Sequence, residues 1–155
     1  MKLNHYPIEH IVPHDHPMIL VDELLEYDET VGVCKVTIHD KSNFYNSEIK
    51  GVPSYVALEY MAQSIAAYAN ANRIDQNQET TIGFLVSSRK FKVFTEHFDV
   101  TTELIIKVEQ LYVENGGLAS FDCKVERNNE IVSQAKINIF QPNDPQSFLA
   151  EPNNE

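Results

Sequence analysis

Apolar side chains recur along this chain with two spacings, one typical of β-strands and one typical of α-helices. The points where the spacing changes mark the boundaries between predicted strands and helix. Apolar and polar positions over 18–27 and 31–39 predict two β-strands, joined by a turn at the "DET" triplet. Over 53–71 the apolar residues instead surround most of the circumference of a predicted helix. Pro53 is well placed as its first residue, because the N–H that proline lacks has no partner at a helix start.

Strand patterns return after the polar connection "NRIDQNQET". They cover 81–94, 100–113 and 118–140, and the turn signal "RNNE" inside the last predicts a hairpin of two strands. Two strands, one long helix and four strands form an α+β pattern, in which a curved antiparallel sheet wraps the helix and buries one face of every strand. We expect one domain over 1–145 and a frayed tail over 146–155.

Charge and composition narrow the classes of function. The net charge of −11 argues against generic binding to nucleic acid or to an anionic membrane, because phosphates would be repelled. The first ten residues contain no apolar signal region, and no apolar run approaches the ~20 residues that cross a bilayer, so a cytoplasmic protein is expected. Cys34 and Cys123 form no CxxC motif and are expected to be reduced thiols.

One carboxylate stands out on the predicted helix. Tyr55, Glu59 and Gln63 follow one another at intervals of four residues and therefore share one stripe of an otherwise apolar helix. A buried carboxylate without a partner costs much free energy, so this stripe must face water, a partner or a cavity. The pattern alone leaves open whether Glu59 is solvated, paired inside the protein or catalytic.

Histidines offer a second kind of candidate chemistry. His14 and His16 flank Asp15 in a loop bounded by prolines, but no other ligand cluster accompanies them, so no metal site is predicted. The chain contains no G-x-S-x-G nucleophile motif, no glycine-rich nucleotide loop and no H-E-x-x-H. Serine hydrolase, nucleotide-dependent and zincin chemistry therefore have no support in the sequence.

A basic cluster lies on the first strand after the helix. Arg89, Lys90 and Lys92 supply three of the chain's 12 basic residues within four positions. Strict alternation along a strand would point Lys90 and Lys92 to one side and Arg89 to the other. The basic cluster is either a solvated strand edge, protected by its lysines against aggregation, or a docking patch for an acidic or phosphorylated partner.

Two segments resemble hotdog-fold 3-hydroxyacyl-[acyl-carrier-protein] dehydratases. "IVPHDHPMILVDELLEYD" is similar to the family's P-H-R-Y-P-F-L-L-V-D-R-V, and "PSYVALEYMAQ" to its P-G-V-L-x-x-E-A-M-A-Q, with Glu59 and Gln63 in place. More weakly, "GFLVSSRKFKVF" resembles the family's strand F-x-G-I-x-x-A-R-F-x-x-P-V. The resemblance covers about 11–140 and implies the hotdog fold, a long helix wrapped by a curved antiparallel sheet.

The chain departs from that family at one position of its catalytic pair. The family's base is a histidine in G-H-F-P-x-x-P, before the helix, and a helix carboxylate of the other subunit protonates the leaving hydroxyl. Here the loop "NFYNSEIKGVP" contains no histidine, and the glycine that begins the family's helix is Ser54. Glu59 thus carries over as the acid while the base does not, so a homodimer should be a poor dehydratase. His14 is a conceivable base, but it matches a position outside the family's catalytic pair.

The chain particularly resembles the His-lacking hotdog subunits of bacterial aryl polyene clusters. That resemblance implies dehydration of 3-hydroxyacyl chains to trans-2-enoyl chains on the phosphopantetheine of an acyl carrier protein, without a resident cofactor. The missing histidine would come from a second hotdog subunit, although self-association remains open. The alternatives are an acyl-thioesterase that uses Glu59, and a non-catalytic hotdog scaffold.

The same resemblance assigns expected roles to other residues. Gln63 would orient the carboxylate or the substrate. Backbone N–H groups from Gly51 to Tyr55, with that of Ser54 among them, would hold the thioester oxygen with the help of the helix dipole. The acyl tunnel would be lined by Tyr45 and Tyr55. The basic cluster would meet the acidic carrier protein or the phosphate of its pantetheine arm.

Overall fold

A computed structural model describes residues 1–15 and 17–141 of the chain. Its elements are, in chain order, β1 (Lys2–Leu3), α1 (Ile8–Ile11), β2 (Glu23–Tyr27), β3 (Val31–Thr37), β4 (Gly51–Pro53), a 3-10 turn (Ser54–Val56), α2 (Ala57–Asp75), β5 (Phe84–Val93), β6 (His97–Asp99), β7 (Glu103–Val113), β8 (Leu118–Arg127) and β9 (Glu130–Phe140). The predicted tail over 146–155 lies outside the described residues.

Seven strands form one antiparallel sheet in the order β1-β2-β3-β7-β8-β9-β5, and β4 pairs with β6 separately. The predicted α+β architecture, with one long helix against a curved sheet, is confirmed. Strand β3 shows the physical reason, because Gly32, Cys34 and Val36 are buried while the residues between them are half-buried. The buried side chains meet α2, and each apolar side chain of valine size stabilises the fold by about 1.5–3 kcal/mol.

The helix packs close to the sheet where a glycine allows it. A Cβ atom added to Gly32 would lie 2.7 Å from the Cβ of Tyr68 on α2, so any larger residue would push the helix away from β3. Cys34 and Cys123 are free and buried in this core, as expected from the sequence. Among the described residues, no helix has the length and apolar character needed to cross a bilayer.

Helix α2 differs from its prediction at both ends. Pro53 belongs to β4 rather than to the helix, and a 3-10 turn from Ser54 precedes the first α-helical residue. At the other end the helix continues past Ala71 to Asp75. The extension is stabilised by tertiary contacts, since the Asn72 side chain donates to the Asp28 carbonyl at 3.0 Å.

Candidate active site

A cavity of about 370 Å³ lies beside the first two turns of α2. Its polar lining groups come from His14, Tyr55, Glu59 and Gln63. Its apolar walls include Met18, Leu20, Phe44, Leu58, Ala62 and Leu85. The helical stripe predicted from the sequence therefore does face a cavity, and three other parts of the chain contribute the remaining walls.

The carboxyl group of Glu59 is only partly accessible in this cavity. Burial raises its pKa above the ordinary value for glutamic acid, while the charge of His14 and a hydrogen bond from Gln63 oppose that rise. A carboxyl group with a raised pKa holds its proton to higher pH than a free glutamic acid does. That property suits a group that must donate a proton to a leaving oxygen.

Gln63 is buried and makes contacts with both the cavity wall and the carboxyl group. Its Oε1 accepts hydrogen bonds from the N–H groups of Leu20 at 2.8 Å and Val21 at 3.4 Å, and its Nε2 donates to the Met18 carbonyl at 2.9 Å. The same side chain also lowers the pKa of the Glu59 carboxyl, against the larger effect of burial. The predicted orienting role of Gln63 stays a prediction. Its hydrogen bonds also hold the segment 18–21 in place as part of the cavity wall, which the sequence pattern does not indicate.

The backbone donors expected at the helix start are only partly available. The Gly51 N–H donates to the Asn46 carbonyl at 3.3 Å, and the Ser54 N–H donates to the Glu96 carbonyl at 3.1 Å. Neither group points an unused donor at a substrate in this arrangement, and Pro53 has no N–H at all. Val52 is paired with Phe98 between β4 and β6, which leaves the N–H of Tyr55 as the remaining donor of this range. The thioester-holding role stays a prediction.

Among the aromatic residues, the structure brings Tyr55 but not Tyr45 to the cavity. Tyr55 is 67% exposed at its mouth, whereas Tyr45 packs partly buried against the core. Phe44 takes the place expected for Tyr45 and has a left-handed backbone, with φ of 69°. Bulky residues rarely adopt that conformation, and strand or helix patterns do not indicate it. The predicted role of Tyr45 in the acyl tunnel stays a prediction.

Histidine is present in the cavity through His14 alone among the described residues. His39 lies in a neighbouring cavity, where its Nδ1 accepts the Lys41 N–H at 3.1 Å, and His97 on β6 pairs with Asp99 at 2.8 Å. No group of three or more possible metal ligands occurs within 1–15 and 17–141. His16, considered with His14 as a ligand from the sequence, lies outside the described residues.

The basic cluster lies on β5, but its expected alternation is wrong. The pairing of β5 with β9 shifts register between Arg89 and Lys92, and Lys90 has a positive φ of 55°. This bulge interrupts the two-residue repeat, and all three basic side chains are exposed. They form one accessible group on an edge strand, and their docking role stays a prediction.

A larger cavity of about 610 Å³ lies at the other end of α2, beside Asn72 and Arg73. None of the residues predicted to take part in chemistry lines it. The cavity of greater volume is therefore not the one lined by the predicted site residues. The smaller cavity is the candidate active site because it contains the half-buried carboxyl group of Glu59, whose pKa is raised.

Comparison with known proteins decides the family. The family model described as "ApeP-like: ApeP dehydratase" matches residues 6–150. The chain belongs to this family of ApeP-like dehydratases. Among its curated relatives are 3-hydroxyacyl-[acyl-carrier-protein] dehydratases FabZ. That of Psychrobacter arcticus is 25% identical over 90% of this chain and 97% of its own length. That of Bartonella henselae is 28% identical over 82% of each chain.

Solved structures show that this ApeP-like chain has the hotdog fold. The dehydratase heterocomplex ApeI:P from Xenorhabdus doucetiae contains a chain that matches with a TM-score of 0.86 at 22% identity, over 95% of this chain and 98% of the other. A hypothetical thioesterase with coenzyme A from Streptococcus pneumoniae TIGR4 matches with a TM-score of 0.57 at 12% identity, over 77% and 86%. The predicted fold and family are confirmed.

Proposed function

We propose that this chain is one subunit of a heteromeric dehydratase that converts 3-hydroxyacyl thioesters on an acyl carrier protein into trans-2-enoyl thioesters. The observation that carries the proposal is the Glu59 carboxyl, whose pKa is raised by burial in a largely apolar cavity. Among the described residues, no histidine from the loop before the helix lines this cavity as a counterpart of the family's catalytic histidine. Membership of the ApeP-like dehydratases supports the reaction class. Aryl polyene or fatty-acid-like biosynthesis is the expected setting.

The reaction divides between two groups. A base removes the proton at C2, the electron pair of that C–H bond forms the C2=C3 double bond, and the C3–O bond breaks. Glu59 gives its proton to the departing hydroxyl, which leaves as water. One carboxyl group cannot easily act as acid and base in the same step, so the base must be a second residue.

A partner hotdog subunit would supply that base. The solved relative from Xenorhabdus doucetiae is a heterocomplex, and strand β5 of this chain offers a place for a similar association. It lies at one edge of the sheet, and Leu85, Val86 and Phe94 are exposed on and beside it. Because Leu85 also lines the Glu59 cavity, a subunit that pairs along β5 would bring its side chains to the carboxyl group.

The acyl carrier protein would approach from the same side. The basic cluster is exposed on β5, the strand that contributes Leu85 to the cavity. Its charge is opposite to that of this acidic chain as a whole, so it would attract an anionic carrier or a pantetheine phosphate locally. Tyr55 at the cavity mouth would contact the acyl chain there.

The proposal is tested by reconstitution. The chain is co-expressed with a hotdog protein that carries G-H-F-P-x-x-P, the complex is identified by native mass spectrometry, and dehydration of a 3-hydroxyacyl carrier protein is measured. We expect activity from the complex and little from either chain alone, and Glu59→Gln should abolish it without dissociating the complex. Full activity of the Glu59→Gln complex would remove the assigned acid. Thioester hydrolysis by the chain alone would favour the thioesterase alternative, and carrier binding without turnover the scaffold.

A further inference from the structure

The cavity contains a second titratable side chain that the dehydration step does not use. Apart from Glu59, the titratable groups that line it are His14 and Tyr55. His14 is exposed to solvent, whereas Glu59 is half-buried. The imidazole and the Glu59 carboxyl line the same cavity without forming a hydrogen bond or ion pair with each other. Burial raises the pKa of Glu59, and the charge of His14 opposes that rise. A titratable group that is exposed to water and shares the cavity with the carboxyl is therefore present in this chain itself.

The loop that carries His14 is held to α2 on both sides. Before it, the buried Asn70 side chain donates to the Ile11 carbonyl at 2.9 Å. After it, the buried Gln63 side chain donates to the Met18 carbonyl at 2.9 Å. Hydrogen bonds from buried side chains hold a backbone in place, because breaking one leaves the buried donor without a partner. His14 is thus kept beside the cavity by anchors that lie on the same helix as Glu59.

Each turnover creates a need for such a group. Once Glu59 has given up its proton, it is a carboxylate in surroundings that favour the neutral form, and it must regain a proton before the next substrate can react. The proton taken from C2 rests on the base and not on Glu59. Imidazole is the side chain best suited to exchange protons with water near neutral pH.

We propose that His14 returns a proton from solvent to Glu59 between turnovers, an inference that rests on the proposed dehydratase function. The imidazolium gives a proton to the Glu59 carboxylate by way of water in the cavity and then takes another from solvent, while the base releases the C2 proton to solvent. No bond other than these O–H and N–H bonds changes. His14 acts through Glu59 and is a positioning and proton-relay residue rather than a catalytic one.

The test separates the first turnover from the later ones in the reconstituted complex. His14→Gln should leave the rate of the first turnover unchanged when the complex is pre-equilibrated at mildly acidic pH, where Glu59 begins protonated. The steady-state rate should fall about tenfold or more and shift in its pH profile, and added imidazole should restore part of it. His10→Gln is the matched control, because His10 is exposed on α1 and does not line the cavity.

A titration of the Glu59 carboxyl by carbon NMR gives a second, activity-free readout. Removing His14 should raise the pKa of Glu59, because the positive charge that lowers it is lost, and the His10 variant should leave it unchanged. Equal losses in the first and later turnovers, an unchanged steady-state rate, or an unchanged Glu59 titration would each overturn the relay. A complex that never dehydrates its substrate would instead refute the proposed function, and the relay with it.

Discussion

The two ends of helix α2 each carry a carboxyl group, and the pKa values of the two groups are shifted in opposite directions. Glu59, in the first turn, faces a largely apolar cavity, and burial raises its pKa. Asp75, the last residue, is also desolvated, which by itself would raise its pKa. Hydrogen bonds from Lys2, Tyr27 and Tyr6 outweigh that effect and lower the pKa of Asp75 to about 2.

The number of donors explains the difference. Asp75 accepts from Tyr27 at 2.6 Å and Lys2 at 2.7 Å, and also from the hydroxyl of Tyr6. These contacts tie β1, β2 and the segment before α1 to the end of the helix, so the charge serves the fold. Burial raises the pKa of Glu59, and the charge of His14 and the side chain of Gln63 together are too little to offset that rise. A carboxyl group left in that state is poised for proton transfer.

The largest expected contrast is catalytic. In the reconstituted complex, Glu59→Gln should lower the dehydration rate about 10²–10⁴-fold, because an amide cannot protonate the leaving hydroxyl. Asp75→Asn is the matched carboxyl-to-amide change and should alter the rate by no more than about threefold, since it lies at the opposite end of α2. Single-turnover assays of both complexes provide the measurement. Equal losses of rate in the two variants would contradict the assignment of a catalytic role to Glu59 and a purely structural role to Asp75.

Gln63 should have the largest effect on stability. Gln63→Leu leaves the partly buried Leu20 N–H and Met18 carbonyl without these partners, and should lower the free energy of unfolding by about 1–3 kcal/mol. Urea denaturation measures the loss, and Gln78→Leu at an exposed position serves as the control, with an expected change within about 0.5 kcal/mol. A loss no greater than the control's would mean that the wall of the cavity does not depend on Gln63.

Asp75 should make a smaller contribution that depends on acidity. Its side chain is 24% exposed, so Asp75→Ala should cost about 1 kcal/mol at neutral pH. Because the folded pKa of about 2 lies below the ordinary 3.8, this stabilisation is present above about pH 4 and is lost as pH falls towards 2. Urea midpoints of wild type and variant should therefore converge over that interval. A constant difference across it would contradict the assigned ion pairing.

The smallest expected effect is the change in stability caused by Glu59→Gln. Its sign is opposite to that for Asp75→Ala, because the substitution should stabilise the fold. A pKa raised in the folded state means that the charged form destabilises the fold, so stability falls as pH rises through the folded pKa. Glu59→Gln should raise the melting temperature by about 1–3 °C in mildly alkaline buffer and by nothing measurable at acidic pH. Thermal melts of the two proteins at both pH values test this, and a lower melting temperature for the variant in alkali would reverse the interpretation.

Local pattern accounts for much of the candidate site. The spacing of Tyr55, Glu59 and Gln63 predicts a shared face on an apolar helix, and the structure confirms that this face lines a cavity. Pattern could not place Phe44 or the β5 bulge, because both depend on positive φ values that the surrounding structure imposes. It also could not show that Asp75 is tied to three residues far from it in sequence.

The sequence by itself determined the order of the main elements, the single carboxylate amid the apolar residues of the long helix, and the lack of a histidine in the loop before it. These follow from short-range periodicity and from which residue types are present. Only the tertiary structure decided which carboxyl group is left poised for chemistry and that His14 lies beside it. The physical reason is that pKa and cavity walls depend on groups brought together across the fold, from residues 14 to 85 of the chain.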